Sequence, residues 1–143
     1  MSFYRVAAFF CFFLLIAVLV YAQDKPELKH VPAPVTSAAS GQEMYKSYCA
    51  SCHGQAGKGD GPAAPALKVA PSDLTQLAKN NSGKFPADRV ASILRGQATV
   101  TAHGNRDMPV WGPLFWHMSQ GHEGQVHQRI ANLTKYIESL QQK

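Results

Sequence analysis

Tyr48-Cys49-Ala50-Ser51-Cys52-His53-Gly54 is the stretch whose reading decides the rest of the chain. Two cysteines three positions apart, followed at once by a histidine, put both thiols on one side of a tight helical turn with the imidazole just beyond. That pattern attaches a c-type haem. The thiols reach the two vinyl groups of the porphyrin, and the imidazole comes under the iron as a ligand suited to both oxidation states. The thioether bonds are irreversible under cellular conditions, so the cofactor stays with the polypeptide after export.

Other chemistries of paired cysteines fit less well. A thioredoxin-like redox pair needs a strand–helix–strand setting, and no alternating strand pattern occurs in this sequence. A structural zinc site needs two further ligands at ordinary spacing; His103 with His117 or His122 is a strained substitute. A disulfide framework is excluded by number. The chain has three cysteines, and Cys11 lies in an apolar run where it reads as a small hydrophobe. The remaining two are too close together to staple a fold.

That apolar run, Val6 to Val20, follows a start bearing the single charge of Arg5 and precedes the small-residue exit Val20-Tyr21-Ala22. Residues 1–22 therefore read as a secretory signal peptide. The alternative is an uncleaved anchor, for which the run is short of the roughly 20 residues that span a bilayer with ease. Residues 23–39, with Pro26, Pro32 and Pro34, read as an exposed linker. The formal charge is +5, and Arg5 is the only charge before Gln23, so residues 23–143 carry +4. The lysines and arginines are scattered rather than blocked, which excludes a nucleic-acid binder and suits a loose face for an acidic protein partner.

Residues 40–143 read as one all-α domain. Ser40-Gly41-Gln42-Glu43 has the capping-box pattern and starts a helix through Met44, Tyr45 and Tyr48 into Cys49. From Gly54 to Pro71 glycine and proline are too dense for a regular element, and a loop of that length needs a site to pack against. Ser72 is expected to cap a short helix through Leu74, Leu77 and Ala78. Pro86 opens the next helix, with Val90, Ile93 and Leu94 inward and Gly96 as its stop. Gln97 to Gly112 reads as loop, followed by a short element through Leu114 and Phe115. Val126, Ile130, Leu133, Ile137 and Leu140 recur at helical spacing and mark the last helix. A domain this small with so much loop needs outside help for its core, which a flat apolar macrocycle would supply.

With these segments in order, the chain resembles the class I, single-haem cytochrome c family, closely its bacterial periplasmic members, from Ser40 to Gln142. The matching segments are Gly41 to Tyr45, Cys49 to Gly54, Gly57 with Gly59-Asp60-Gly61-Pro62, Pro71 to Thr75, Met108-Pro109-Val110-Trp111-Gly112, and the terminal helix with Leu133, Tyr136 and Ile137. The resemblance implies a cytochrome c fold of three to five helices, with long loops wrapped around one covalently bound haem c. It implies that Gly41 and Tyr45 of the first helix cross the last at Leu133 and Tyr136. It gives His53 a proline carbonyl, of Pro62 or Pro65, as acceptor for its outer ring proton. It gives the iron a distal methionine, Met108, with His103 as the rival ligand, and puts Trp111 beside the haem edge. Arg106 is a loop arginine that would pair with a propionate or remain solvated. Met44 falls on the proximal side, and Met118 reads as packing. The stretch Ser119 to Gly124 reads as a solvated loop.

The expected function is that of a one-electron carrier rather than an enzyme, exported to the periplasm or an equivalent compartment. Its expected partners are membrane or periplasmic oxidases, reductases or dehydrogenases. An uncleaved N-terminal segment would instead anchor it to the membrane, facing the periplasm. The alternatives are a tightly docked haem subunit of a larger oxidoreductase and an open-site haem enzyme or binder of gas or peroxide.

Overall fold

A computed structural model describes residues 33–98 and 110–142. The expected signal peptide and most of the expected linker lie outside these residues. Among the described residues there are five α-helices, three short 3₁₀ turns and no strand: α1 (Gly41–Tyr48), α2 (Ala50–His53), α3 (Ala87–Arg95), α4 (Trp111–Met118) and α5 (Glu123–Ser139). The all-α expectation holds.

α1 begins where the capping pattern puts it. The Ser40 hydroxyl accepts the Glu43 amide at 3.1 Å, satisfying one of the free donors of the first turn. The reciprocal half of the box is redirected. The Ser40 amide donates to the Ser37 carbonyl, so the Glu43 carboxylate accepts from the Ser37 amide instead, at 3.3 Å. At Cys49 φ widens to −112° within the right-handed helical region, and this distortion separates α1 from α2. Hydrogen bonding continues through it, since the Cys49 amide donates to Tyr45 and its carbonyl accepts from His53.

The crossing of α1 with α5 is as the resemblance implies. A Cβ on Gly41 would collide with the Asn132 carbonyl and approach the Tyr136 Cβ to 2.9 Å, so only glycine lets the backbones meet here. Tyr45 and Tyr136 pack with ring centroids 5.2 Å apart. Met44, Tyr45, Phe115, Ile130 and Leu133 are wholly buried around this junction.

Other elements differ from expectation. The short helix after Ser72 is two 3₁₀ turns, Leu74–Gln76 and Lys79–Asn81, and the first is capped by Asp73. The Asp73 carboxylate accepts from both the Thr75 amide and the Thr75 hydroxyl, and a carboxylate out-competes the serine hydroxyl one residue earlier as an acceptor. α3 ends at Gly96 in the left-handed conformation (φ 77°), as its stop signal predicts. Trp111 and Gly112, expected in a loop, open α4, and Pro113 in that first turn removes an amide with no helical partner.

Of the stretch Ser119 to Gly124, expected as a solvated loop, residues 119–122 form a tight connection between α4 and α5, while Glu123 and Gly124 open α5. The Gly121 amide returns to the Trp116 carbonyl at 3.0 Å, and Ser119 is buried with its hydroxyl accepting from Arg129. The end of the expected linker is also docked. Thr36 is buried, its carbonyl and hydroxyl accept from the Arg129 guanidinium at 2.9 and 3.2 Å, and Tyr48 Oη donates to the Pro34 carbonyl.

Gly41→Ala should destabilise the protein by roughly 1–3 kcal/mol through overpacking of the crossing. Gly124→Ala meets nothing within 4 Å and should stabilise it by up to about 1 kcal/mol. Urea unfolding of both variants beside the wild type checks the contrast.

Candidate functional site

The cysteine–histidine turn sits at the wall of a cleft lined by apolar side chains from three parts of the chain. Leu74 and Leu77 come from the 3₁₀ segment, Val90, Ile93 and Leu94 from α3, and Ile137 from α5, with Cys49, His53 and Ser72 on the same lining. The cleft encloses about 1050 Å³, its open mouth included. α1 fixes where the turn lies, because its crossing with α5 sets the position of Tyr48 and hence of Cys49.

His53 is buried, and its Nδ1 lies 3.0 Å from the Ser72 carbonyl. A carbonyl oxygen only accepts, so Nδ1 carries a proton in this hydrogen bond and Nε2 is the ring nitrogen left for a ligand role. This hydrogen bond fixes the tautomer and raises the basicity of Nε2. Neither Pro62 nor Pro65 supplies the acceptor, contrary to the expectation. Their segment is spent elsewhere: the amides of Gly61 and Ala63 return to the carbonyls of Cys52 and Ser51, at 3.1 and 2.9 Å, and satisfy the end of α2. Gly61 permits this, because a Cβ there would collide with the Ser51 carbonyl.

The loop from Gly54 to Pro71 is held by its own backbone. The Gly59 amide donates to the His53 carbonyl and the Leu74 amide to the Gly57 carbonyl, at 2.8 and 2.7 Å. The Tyr45 hydroxyl donates to the Gly54 carbonyl at 2.8 Å. Burial, with the nearby Cys49, pushes the Tyr45 hydroxyl well above its ordinary pKa and keeps it a donor.

Cys49 is buried and Cys52 half-buried, with no disulfide between them. Burial, and secondarily the neighbouring Cys52, pushes the Cys49 thiol up to about 12. Such a thiol is a poor redox nucleophile and a poor thiolate ligand. Among the described residues no three His, Cys, Asp or Glu side chains gather around one point, so the two sulfurs and the imidazole are spread along the turn instead of converging.

These residues fit a haem. The cleft offers apolar walls for a flat macrocycle, the Cys49 thiol on its lining with Cys52 on the same turn for thioether attachment, and the His53 imidazole for its iron. Trp111 does not line the cleft. It is buried against Tyr48 and Phe115, with ring centroids at 5.2 and 5.9 Å, because the start of α4 draws it inward. Met44 is wholly buried, and Met118 packs with its sulfur 3.4 Å from the Tyr48 hydroxyl, as expected of a packing residue. Met108, His103 and Arg106 lie outside the described residues.

Compared with known proteins, residues 36–120 match the family model described as cytochrome c oxidase, cbb3-type, subunit III, more than half of the chain. No curated protein and no solved structure matches.

Leu94 is 2% exposed where α3 meets the cleft. Leu94→Ala should cost roughly 2–5 kcal/mol of unfolding free energy, measured by urea titration of the purified protein.

Proposed function

The chain belongs to this family of class I c-type cytochromes, and from that premise we propose a one-electron carrier in which Cys49 and Cys52 would hold a single haem c, with His53 and Met108 as the residues that would bind its iron. Haem supplies the one-electron iron couple on which such a carrier runs. The observation that carries the reading is His53, whose Nδ1 is committed to the Ser72 carbonyl beside an apolar cleft that Cys49 also lines.

Each residue has a definite part. Cys49 and Cys52 tether the group to α2 and its approach from α1. His53 presents Nε2 as a basic ligand in one tautomer. Leu74, Leu77, Val90, Ile93, Leu94 and Ile137 exclude water, so little solvent reorganises when the charge changes. Met108 lies three residues before Trp111, which is anchored in the core, and that short tether supports Met108 as the residue whose thioether would bind the iron. A methionine ligand favours the reduced state and raises the potential. One haem is proposed because the sequence holds one Cys-x-x-Cys-His motif.

The N-terminal pattern supports export, with the carrier working in the periplasm or an equivalent compartment. Among the described residues no helix is long and apolar enough to cross a membrane. Redox enzymes at or near the membrane are the partners proposed. The family description, a subunit of an oxidase, favours a second reading in which this domain is a docked haem subunit. Purification separates the two: a free monomer supports the shuttle, and co-purification with a larger oxidase supports the subunit.

Replacing Cys49 and Cys52 together by alanine should leave a chain without stable tertiary structure, since the cofactor completes the core. A folded, haem-free variant with native helix content, seen by circular dichroism, would contradict this. Met108→Ala should lower the potential and admit carbon monoxide rapidly, and Met108→His should lower it while keeping the iron six-coordinate. Met118→Leu should leave the spectrum alone and cost under about 1.5 kcal/mol. Absorption spectra of both oxidation states, with and without carbon monoxide, test the ligand set. It fails if Met108→Ala keeps the wild-type spectrum while His103→Ala changes it.

A further inference from the structure

The chain just beyond α5 reaches across to the cleft wall that carries Ser72. Gln141 is half-buried there. Its side-chain carbonyl accepts the Ala78 amide at 2.8 Å, and its Nε2 donates to the Leu74 carbonyl at 2.7 Å and to the Ile137 carbonyl at 2.9 Å. The neighbouring residue adds to this. The Gln142 amide donates to the Thr75 carbonyl at 3.0 Å, and its side-chain carbonyl accepts from Gln76 Nε2 at 2.6 Å.

The Leu74 carbonyl and amide are therefore both fixed, the first by Gln141 and the second by its bond to the Gly57 carbonyl. Ser72, whose carbonyl accepts from His53 Nδ1, lies two residues upstream. Leu74 and Leu77, inside the bridged span, form part of the cleft lining. Bridging an amide and a carbonyl four residues apart requires one side chain that both accepts and donates, as a carboxamide does.

We infer that Gln141 is a positioning residue for the iron ligand. It clamps residues 74–78 to the end of α5, and through them it holds the Ser72 carbonyl on His53. The inference rests on His53 being the ligand, as proposed above. A hydrogen bond at Nδ1 makes Nε2 a stronger donor, which favours ferric iron. Loosening the clamp weakens that bond and moves the potential upward.

The test uses the holoprotein with Gln141→Met, which keeps side-chain length and apolar packing, and Gln141→Glu, which keeps an acceptor for Ala78 but loses the donor to Leu74. In Gln141→Met the Ala78 amide should exchange roughly tenfold faster, the loss of about one hydrogen bond. In Gln141→Met, which adds no charge, the potential should rise, and in both variants the Nδ1 proton resonance of His53 in the reduced protein should shift and exchange faster with solvent. Unchanged Ala78 exchange in Gln141→Met overturns the clamp. Faster exchange with an unmoved potential and Nδ1 resonance reduces Gln141 to a helix-end contact and overturns its positioning role. Wild-type protein whose iron lacks histidine ligation brings down the functional reading as well, and that result is visible before any variant is made.

Discussion

The contact between Gly41 and the Asn132 carbonyl is the constraint on which the rest of the structure depends. It brings two helices together at backbone distance, and Tyr45 closes the junction against Tyr136. α1 runs from there into Cys49 and the turn that ends at His53. α5 runs from there to Ile137 on the cleft, and the chain just beyond it to Gln141 against the segment that follows Ser72. The cysteine–histidine turn and the segment braced by Gln141 are thus both referred to one close approach. A shift at the crossing would move both.

A second layer of organisation is polar and buried. Arg129 lies within the core with 4% exposure. Its guanidinium is met by the Thr36 carbonyl and hydroxyl, the Ser119 hydroxyl, the Met44 sulfur and the ring of Phe115. A buried charge is tolerated when its donors are satisfied, and here the donors are spent on pinning the segment before α1 and the α4–α5 connection to the last helix. Tyr48 joins the same network through Thr36, so the residue preceding Cys49 is held from its hydroxyl end as well.

Much of this was legible in the sequence, for reasons that can be named. Ser40, Gly96 and the stripe from Val126 to Ile137 act through local rules of capping and helical periodicity; Gly96 and the stripe appear as read, and Ser40 caps its helix while Glu43 serves the Ser37 amide instead of its own. The crossing was accessible because glycine and tyrosine on one helix match leucine and tyrosine on the other. What escaped depends on how loops fold back. Nothing in Pro62 or Pro65 says that their segment would cap α2, leaving the carbonyl of Ser72 for His53. Arg129 did leave a signal, since it falls three residues after Val126 and four before Leu133, on the apolar stripe. A charge in that place indicates a buried polar network. Gln141 left none, because a glutamine just beyond a helix is ordinary at the surface until its partners are known.

Everything proposed for this chain requires that Cys49 and Cys52 bind one haem covalently. Intact-mass spectrometry of the exported protein, after acid–acetone extraction to strip any non-covalent haem, tests this without intermediary. The expected result is a polypeptide carrying the added mass of one haem, with the attachment mapped to the peptide containing Cys49 and Cys52. A chain that emerges at the mass of the bare polypeptide, with both thiols open to alkylation, would contradict it.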